Sequence, residues 1–351
     1  GEAMGDRGVS KAGSTTKKRG GAKIYVLLAL ALVILVSVQT GIAGYGLAHL
    51  RAATFPQDEG LLEHVPATAP GVLIIDTHRL DPKALGPEDG AARTYLVRTR
   101  EDIKKATGID LWFDVDKIAI APGIVVARGR FSHESLADKL KEHSYTEVEH
   151  KGVKILTRAG EDALAVVGGS ILLYGDEASI RASIDAEAGD TSLGDQEPVT
   201  DRLEAVGWEH PVIGTVQIND KKPSVREILA GFTGPRAVTA GLTMKGGLTI
   251  EVAIESASTA SAEELRKLLE EKRADAKALE GLVGSDLGPT LADVASRAKI
   301  SVPAGSSQVA VQLDLTPEQL DRMVKAASPA AGPMSEVYKN LRLFQLLVPI
   351  P

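Results

Sequence analysis

The sequence predicts an α+β fold in which antiparallel sheets carry helices on one face, preceded by a transmembrane helix. Three observations lead to this prediction. A long uncharged apolar run lies near the start of the chain. Beyond it, short strand patterns alternate with helical ones. Glycine-rich turns, such as Gly168-Gly169 and Lys245–Gly247, join the strand patterns into hairpins, whose strands are antiparallel.

The predicted transmembrane helix extends from Ile24 to Ala48 and contains no charged residue. At about 1.5 Å per residue, this run is long enough to cross a hydrocarbon core of about 30 Å. Lys23 and Arg51 bracket it. We therefore expect the lipid bilayer to be a partner of residues 24–48. A cleaved signal peptide is the alternative, but the apolar core of a signal peptide is usually only about 7–15 residues long.

Charge predicts the orientation of the chain in the membrane. Residues 1–23 carry six Lys/Arg and two acidic residues, a net charge of +4. Cationic flanks stay in the cytoplasm. We therefore expect the chain to lie in a bacterial inner membrane, with its N-terminus in the cytoplasm and its large domain in the periplasm. The whole chain carries −7, which leaves −11 after Lys23. A polyanionic domain repels phosphate backbones, so no nucleic-acid partner is expected.

Small residues line one side of the predicted transmembrane helix. They are spaced i, i+4, i+7 and i+11, and are Ser37, Gly41, Gly44 and Ala48. Such a face lets a second helix approach closely, which predicts helix pairing. The alternative is that small residues are simply common in membrane helices.

The 351-residue chain contains 44% hydrophobic and 25% charged residues, which is typical of a folded protein. It contains no cysteine, which excludes disulfides, thiolate metal sites and cysteine nucleophiles. The pattern predicts a basic tail (1–23), the transmembrane helix (24–48), a linker (49–70), a first α+β half (71–188), a second linker (189–210), a similar second half (211–328) and an apolar C-terminal tail (329–351).

The elements of the two halves follow a similar order. The first half is expected to contain the strand Gly71–Asp76, the helix Arg100–Thr107, two strands in Lys117–Arg130, the helix His133–Glu142, hairpins in Tyr145–Thr157 and Ala163–Tyr174, and the helix Asp176–Ile184. The second is expected to contain the strand Val212–Ile218, the helix Ser224–Gly231, the hairpin Ala237–Glu255, the helix Ala262–Gly281, the hairpin Lys299–Leu315 and a helix from Thr316 to Ala327.

The C-terminal tail is strongly apolar but too short and too charged to span a membrane. One interpretation is that Leu343–Val348 completes the sheet or packs on the core. The other is that the tail docks onto a partner or the bilayer. The side chains available for docking are those of Leu343, Phe344, Leu346, Leu347 and Val348.

No catalytic, cofactor-binding or metal-binding residue is predicted, because each motif lacks a required group. Gly241–Gly246 has the spacing of a phosphate loop, but Gly247 replaces the lysine. Ser296 and Lys299 have the spacing of a nucleophile and its amine without the accompanying motifs. The histidines closest in sequence, His133, His143 and His150, are expected to be solvated.

The densest carboxylate group is Asp110, Asp114 and Asp116, next to Trp112 and Phe113. Oxygen ligands suit calcium, but the glycine and terminal glutamate of an EF-hand are missing. The segment precedes a strand, and therefore we expect the carboxylates to stabilise a turn and the aromatic pair to anchor the core.

The stretch from Ile118 to Ala186 contains a strand, the step Arg128-Gly-Arg-Phe131, a helix, hairpins and a short helix led by Asp176. In this it resembles bacterial single-span membrane proteins with tandem α+β ectodomains. The resemblance implies a similar fold and topology, and it implies no activity.

Three functions are compatible with the sequence. The favoured one is a non-enzymatic envelope protein, an accessory or scaffold subunit that binds other envelope proteins through its extracytoplasmic domain. The second is a lipid- or small-ligand-binding ectodomain, which requires an apolar pocket. The third is a hydrolase-type enzyme, which requires acids clustered in a cleft, around Asp114, Asp116 and His133.

Overall fold

The computed structural model describes residues 59–158, 162–189, 191–218, 234–276 and 287–327. Within these ranges, twelve strands form one antiparallel sheet. The strands are β1 (Gly71–Asp76), β2 (Val115–Ala121), β3 (Ile124–Gly129), β4 (Thr146–His150), β5 (Val153–Thr157), β6 (Ala163–Val167), β7 (Ile171–Gly175), β8 (Val212–Gln217), β9 (Pro235–Met244), β10 (Leu248–Ser256), β11 (Lys299–Ser301) and β12 (Gln308–Leu315).

The two halves of the chain meet at the centre of this sheet, where β1 pairs with β8. Outward from that pair, the first half has the order β1-β2-β3-β7-β6-β5-β4 and the second has β8-β9-β10-β12-β11. The close approach needs a small residue, because a Cβ on Gly214 of β8 would lie 2.9 Å from Leu73 Cδ1 of β1. The predicted halves are therefore two parts of one sheet.

Seven helices lie within the described ranges: α1 (Ala91–Thr107), α2 (His133–Lys141), α3 (Glu177–Gly189), α4 (Glu197–Val206), α5 (Thr259–Ala274), α6 (Leu287–Ser296) and α7 (Pro317–Ala327). Apolar residues of α1, α2, α5, α6 and α7 pack in one core, on the face of the sheet that we call the helix-rich face. Apolar residues of α3 and α4 pack in a second core, on the opposite face.

The prediction that helices cover one face was therefore wrong. The reason lies in β1, in which all six residues are buried. Leu73 and Ile75 belong to the core of the helix-rich face, whereas Val72 and Ile74 belong to the opposite core. Successive side chains of a strand alternate between faces, so an unbroken apolar strand requires cover on both.

Both predicted linkers contain packed structure. In the first, a 3-10 helix at Glu59–His64 buries Leu61 and Leu62 on the opposite face. In the second, α4 and a short 3-10 helix, Leu193–Asp195, occupy the same face. Proline and polar residues predicted connectors, but the leucines between them pack into the core.

Several sequence predictions of hairpins are confirmed. Strands β2–β3, β4–β5, β6–β7 and β9–β10 pair in antiparallel register at the expected turns. Helix α1 begins at Ala91, nine residues before the predicted start. The predicted helix Ser224–Gly231, the transmembrane segment Ile24–Ala48 and the tail 329–351 lie outside the described residues. No helix within the described ranges is long and apolar enough to cross a membrane.

Helix α7 connects the end of the second half to the start of α1 in the first. Gly90, the N-cap residue of α1, has no side chain to cap the helix. Asp321 of α7 takes that role, because its Oδ1 accepts a hydrogen bond of 2.6 Å from the Ala91 N–H. Asp321 is buried, and a Cβ on Gly90 would lie 2.8 Å from its Oδ1. This contact joins residues 230 positions apart.

Replacing Asp321 should weaken the attachment between the halves. We expect Asp321→Ala to lower the free energy of unfolding by about 1–3 kcal/mol, because a buried helix N-terminus loses its acceptor and a favourable charge. Asp321→Asn keeps an oxygen acceptor and should cost less. Denaturant unfolding measures both, with the exposed Asp138→Asn as the control. Equal stability of Asp321→Ala and the wild type would contradict this role.

His64 ends the first 3-10 helix and is buried on the opposite face. Its Nδ1 lies 3.9 Å from Glu187 Oε2 and has no hydrogen-bond partner among the described residues. Burial lowers the pKa of His64, and the charges of Glu187 and Glu63 oppose that shift only in part. The neutral ring is therefore the form that the fold accommodates.

This environment makes stability depend on pH. Because the pKa of His64 is lower in the folded protein, its contribution is complete above the unfolded value of about 6.5 and is lost as the pH falls below it. We expect the wild type to lose more unfolding free energy between pH 7.5 and 5 than His64→Gln does. Urea unfolding at several pH values tests this. Identical pH dependences of the two proteins would contradict it.

Candidate functional site: the Arg100–Asp110 cluster and its exposed aromatic ring

The three predicted carboxylates do not form one group. Asp110 and Asp114 lie in the turn between α1 and β2, whereas Asp116 lies within β2 and pairs with His78. The prediction of turn-stabilising carboxylates is therefore confirmed for the first two residues. Within the described ranges, no group of three or more His, Asp or Glu side chains could hold a metal ion.

Asp110 is the centre of the turn. Arg100 of α1 donates two hydrogen bonds to it, from Nε to Oδ1 at 2.9 Å and from Nη2 to Oδ2 at 2.8 Å. Lys104, one helical turn further along α1, donates to Oδ2 at 2.9 Å. The backbone N–H of Trp112 donates to Oδ1 at 3.1 Å. Two parallel bonds between a guanidinium and a carboxylate fix orientation as well as charge.

These contacts determine the ionisation of Asp110. Burial, the largest influence, disfavours the charged form. The hydrogen bonds from Arg100, Lys104 and the Trp112 N–H outweigh it and lower the pKa of Asp110 to about 2. The carboxylate therefore stays charged at any physiological pH.

Asp114 and Arg130 close the same turn from the other side. Asp114 Oδ2 accepts a hydrogen bond of 2.7 Å from the Asp110 N–H. The carbonyl oxygen of Asp114 accepts one of 2.8 Å from the Arg130 N–H, and the Arg130 guanidinium donates to the Phe113 carbonyl oxygen. The backbone that carries Phe113 is thus held from both of its flanks.

The two neighbouring aromatic residues have different environments. Trp112 is buried in the core, as predicted, and the Arg100 Cζ lies 5.1 Å from its ring centroid. Phe113 was also expected to anchor the core, but it is 46% exposed. The Arg100 Cζ lies 5.8 Å from the Phe113 ring, at a distance compatible with a cation–π contact.

Val97 on α1 is a second exposed apolar residue. It precedes Arg100 by three residues, so the two side chains are neighbours on the helix. Val97 is 51% exposed, and among the described residues it and Phe113 are the two exposed large hydrophobic side chains. We call Val97, Arg100 and Phe113 together the Phe113 surface. Sequence reasoning identified Phe113 as an aromatic residue but missed its exposure and missed Val97.

A second charged cluster lies where β1 ends and β2 begins. Asp116 Oδ1 lies 2.7 Å from His78 Nε2. Asp76 Oδ2 lies 3.4 Å from Arg79 Nε and 3.9 Å from Lys117 Nζ. The side chains of Asp76, His78 and Lys117 are largely buried. Sequence reasoning missed this cluster, although a carboxylate at the end of a buried strand was a signal for it.

Lys117 has the most unusual environment of this cluster. Burial lowers the pKa of its amine, and the nearby charges of Asp76 and Asp116 act in the opposite direction. Acidic and basic side chains face one another here, so their attraction stabilises the pairing of β1 with β2. The Arg79 Nη1 also donates to the Trp208 carbonyl oxygen at 3.0 Å, which connects the cluster to the loop before β8.

The histidines named in the sequence lie in different places. His133 Nε2 lies 2.8 Å from Glu147 Oε2. His150 Nε2 lies 2.8 Å from Asp185 Oδ1, between β4 and α3. His143 is exposed. Because His133 pairs with Glu147 and Asp116 pairs with His78, the proposed convergence of Asp114, Asp116 and His133 does not occur.

The other motifs singled out in the sequence form a hairpin turn and local polar contacts. Gly241–Gly247 forms the end of β9 and the turn into β10, as its interpretation as a hairpin predicted. Ser296 Oγ donates to the Asp293 carbonyl oxygen at 2.8 Å, and Lys299 Nζ lies 3.5 Å from Asp314 Oδ2. The pairing face and the tail residues lie outside the described residues; they are Ser37, Gly41, Gly44, Ala48, Leu343, Phe344, Leu346, Leu347 and Val348.

No protein-family model matches the sequence, and no curated protein matches it. Solved structures that resemble the chain include crystal forms I, III and IV of TP0453, each 10% identical to it. Their TM-scores are 0.42, 0.43 and 0.43, and the alignments cover 78%, 76% and 75% of this chain and 98%, 98% and 95% of TP0453. Similarity at this level supports no inference about function.

Removing the Asp110 carboxylate should loosen the turn that carries Phe113. Asp110→Ala removes hydrogen bonds between a buried carboxylate and the partly exposed Arg100 and Lys104, so it should lower the unfolding free energy by about 1.5–3 kcal/mol. The lowered pKa means that the wild type keeps this contribution above about pH 4 and loses it as the pH falls toward 2.

Denaturant unfolding at pH 7, 4 and 2.5 measures this contribution, with the exposed Asp138→Asn as the control. Because the wild type loses the ion pair in acid, the gap between it and Asp110→Ala should narrow as the pH falls. A gap that stays constant over this range would contradict the assignment of the charge.

Proposed function

We propose that this chain is a membrane-anchored, non-enzymatic interaction protein, an accessory or scaffold subunit that binds another envelope protein through the Phe113 surface. The observation that carries the proposal is the exposure of Phe113 on a turn fixed by the Arg100–Asp110 ion pair. A rigid, exposed aromatic ring beside an arginine has the composition of an interface hot spot, where Tyr, Trp, Phe and Arg are enriched.

The core beneath the turn does not depend on the Phe113 ring. Trp112 fills the core beneath it, and Asp110 and Asp114 fix the backbone through polar contacts. A polar residue at position 113 would keep those contacts and avoid the cost of exposing apolar surface to water. We propose that the exposed part of the ring contacts a partner.

A partner could bind either to this surface or to an edge strand of the sheet. The edges of the sheet are poor templates for an added strand, because β4 carries exposed charged residues, including Glu147 and Glu149, and β11 has three residues. Side-chain docking on α1 and the following turn is therefore favoured over strand addition. The predicted anchor at 24–48 would hold this surface on the periplasmic side of the membrane.

The proposal is tested by crosslinking mass spectrometry on native membranes that contain the full-length protein or a single-residue variant. We expect Phe113→Ser to reduce crosslinks between a reproducible partner and the lysines near the turn, Lys104 and Lys105, by about tenfold. This corresponds to the loss of a hot-spot residue worth about 1.4 kcal/mol or more. The matched control is Asp201→Ser, an exposed site on α4 of the opposite face.

Thermal unfolding of both variants must remain close to that of the wild type, so that a lost crosslink reports on the surface. Undiminished partner crosslinks in Phe113→Ser would contradict the proposal. An absence of any reproducible partner in the wild type would contradict it as well.

A further inference from the structure

The segment that precedes β1 lies across the opposite face of the sheet. We call residues 59–69 the strap; it consists of the 3-10 helix Glu59–His64 and the turn that follows it. The strap packs against α3, β2, β3 and the 3-10 helix that precedes α4. Leu61, Leu62 and Val65 are fully buried in the core of this face. The strap therefore completes this core although it contributes no strand to the sheet.

The contacts that hold the strap are separate from those that hold the sheet. The Val65 carbonyl oxygen accepts a hydrogen bond of 2.6 Å from the Leu193 N–H, and the Ala67 N–H donates to the Thr191 carbonyl oxygen at 2.9 Å. Both partners follow α3 in the chain. Strand β1, by contrast, is paired with β2 and β8. The strap can therefore undock while the central strands stay paired.

His64 is a buried titratable residue of the strap, with a side chain 6% exposed. The Ser183 hydroxyl of α3 donates to its carbonyl oxygen. The ring Nδ1 has no hydrogen-bond partner among the described residues, and Glu187 Oε2, at 3.9 Å, lies beyond hydrogen-bond distance. A protonated imidazole has two N–H donors, whereas the neutral ring has one. Protonation in the docked strap therefore leaves a buried N–H without an acceptor.

The charges around the ring reduce this cost without removing it. Glu187 of α3 and Glu63 of the strap favour the protonated ring, but burial outweighs them and lowers the pKa of His64. Protonation is therefore less favourable in the docked strap than in water. The remaining charged side chains of the packed elements form other contacts; they are Glu177, Arg181 and Asp185 of α3, Asp195, Asp116 and Lys117 of β2, and Arg128 of β3.

We propose that the strap is an acid-sensitive device, which stays docked while His64 is neutral and undocks more often when the ring is protonated. Undocking moves the ring into water, where both of its N–H groups find acceptors. It also uncovers the apolar side chains of the strap and those of Ile180 and Ile184 on α3. The strap lies on the face opposite the Phe113 surface, so this inference does not depend on the proposed function.

The direction and size of the effect follow from linkage between protonation and undocking. Because docked His64 binds a proton more weakly, the ratio of undocked to docked strap is constant well above about pH 6.5 and rises as the pH falls below it. A single proton limits the rise to about tenfold per pH unit. Between pH 7.5 and 5.5 we expect this ratio to increase about threefold to tenfold.

Hydrogen exchange of the full-length protein, followed by mass spectrometry, tests this expectation. The amides of Ala67 and Leu193 are bonded across the boundary of the strap, so they exchange when it undocks. After correction for the intrinsic effect of pH, exchange of peptides that cover them should accelerate about threefold to tenfold between pH 7.5 and 5.5. A control peptide from β10 should not change. His64→Gln keeps a polar side chain without the titration, and its exchange should change less than about twofold.

Glu187→Gln separates titration of the ring from titration of the neighbouring carboxylate. It removes a charge that favours the protonated ring, so its acceleration in acid should be at least as large as that of the wild type. An acceleration that persists in His64→Gln, or that Glu187→Gln abolishes, would overturn the proposal. No acceleration in the wild type, or an equal one in β10, would overturn it as well.

Discussion

The antiparallel pairing of β1 with β8 is the contact on which the rest of the structure depends. It places the first strand of each half side by side, so that twelve strands form a single sheet. Every residue of β1 is buried, and Gly214 allows the backbone of β8 to approach Leu73 closely. Because the pair is central, the halves cannot separate without breaking the hydrogen bonds of β1 to β8 and exposing apolar residues along that line to water.

This central pair also explains why the helices divide between the two faces. Each face of β1 needs cover, and the chain supplies it from different segments. The helix-rich face receives α1 and α2 from the first half and α5, α6 and α7 from the second. The opposite face receives α3, α4 and the 3-10 helix at Glu59–His64. On that face, β10 and β12 carry partly exposed polar residues such as Thr249 and Asp314, as is usual for an antiparallel sheet that faces water.

Two buried carboxylates hold α1 in place on the sheet. Asp321 connects α7 to α1, and Asp110 connects α1 to the turn before β2. Both are buried carboxylates that accept hydrogen bonds from a helix or its side chains. Together they hold α1 at each of its ends, so the helix that carries Val97 has a fixed position relative to Phe113.

The sequence predicted the local structure better than the long-range structure. Hairpin turns were identifiable because Gly168, Gly169 and Gly246 have positive φ angles, which glycine adopts at no steric cost. The pairing of β1 with β8 joins residues more than 130 positions apart, and no local pattern encodes it. The apolar run Val72–Ile75 of β1 did contain the signal that both faces would be covered.

The same limit applies to the candidate site. The sequence identified the acidic and aromatic residues between positions 110 and 114, and it predicted that Asp110 and Asp114 stabilise a turn. The partner of Asp110 was not predictable, since Arg100 is one of several basic residues on α1. Which of two adjacent aromatic rings is buried depends on the direction of the backbone in the turn, and that direction is fixed by tertiary contacts.

A fixed position of α1 requires both halves of the sheet to unfold as one cooperative unit. Native-state hydrogen exchange of the full-length protein measures this most directly. We predict that the amides of β1 and β8 exchange most slowly and share one opening free energy, and that Asp321→Ala lowers both by the same amount. Strands of the second half that open independently, while β1–β3 stay protected, would contradict the account.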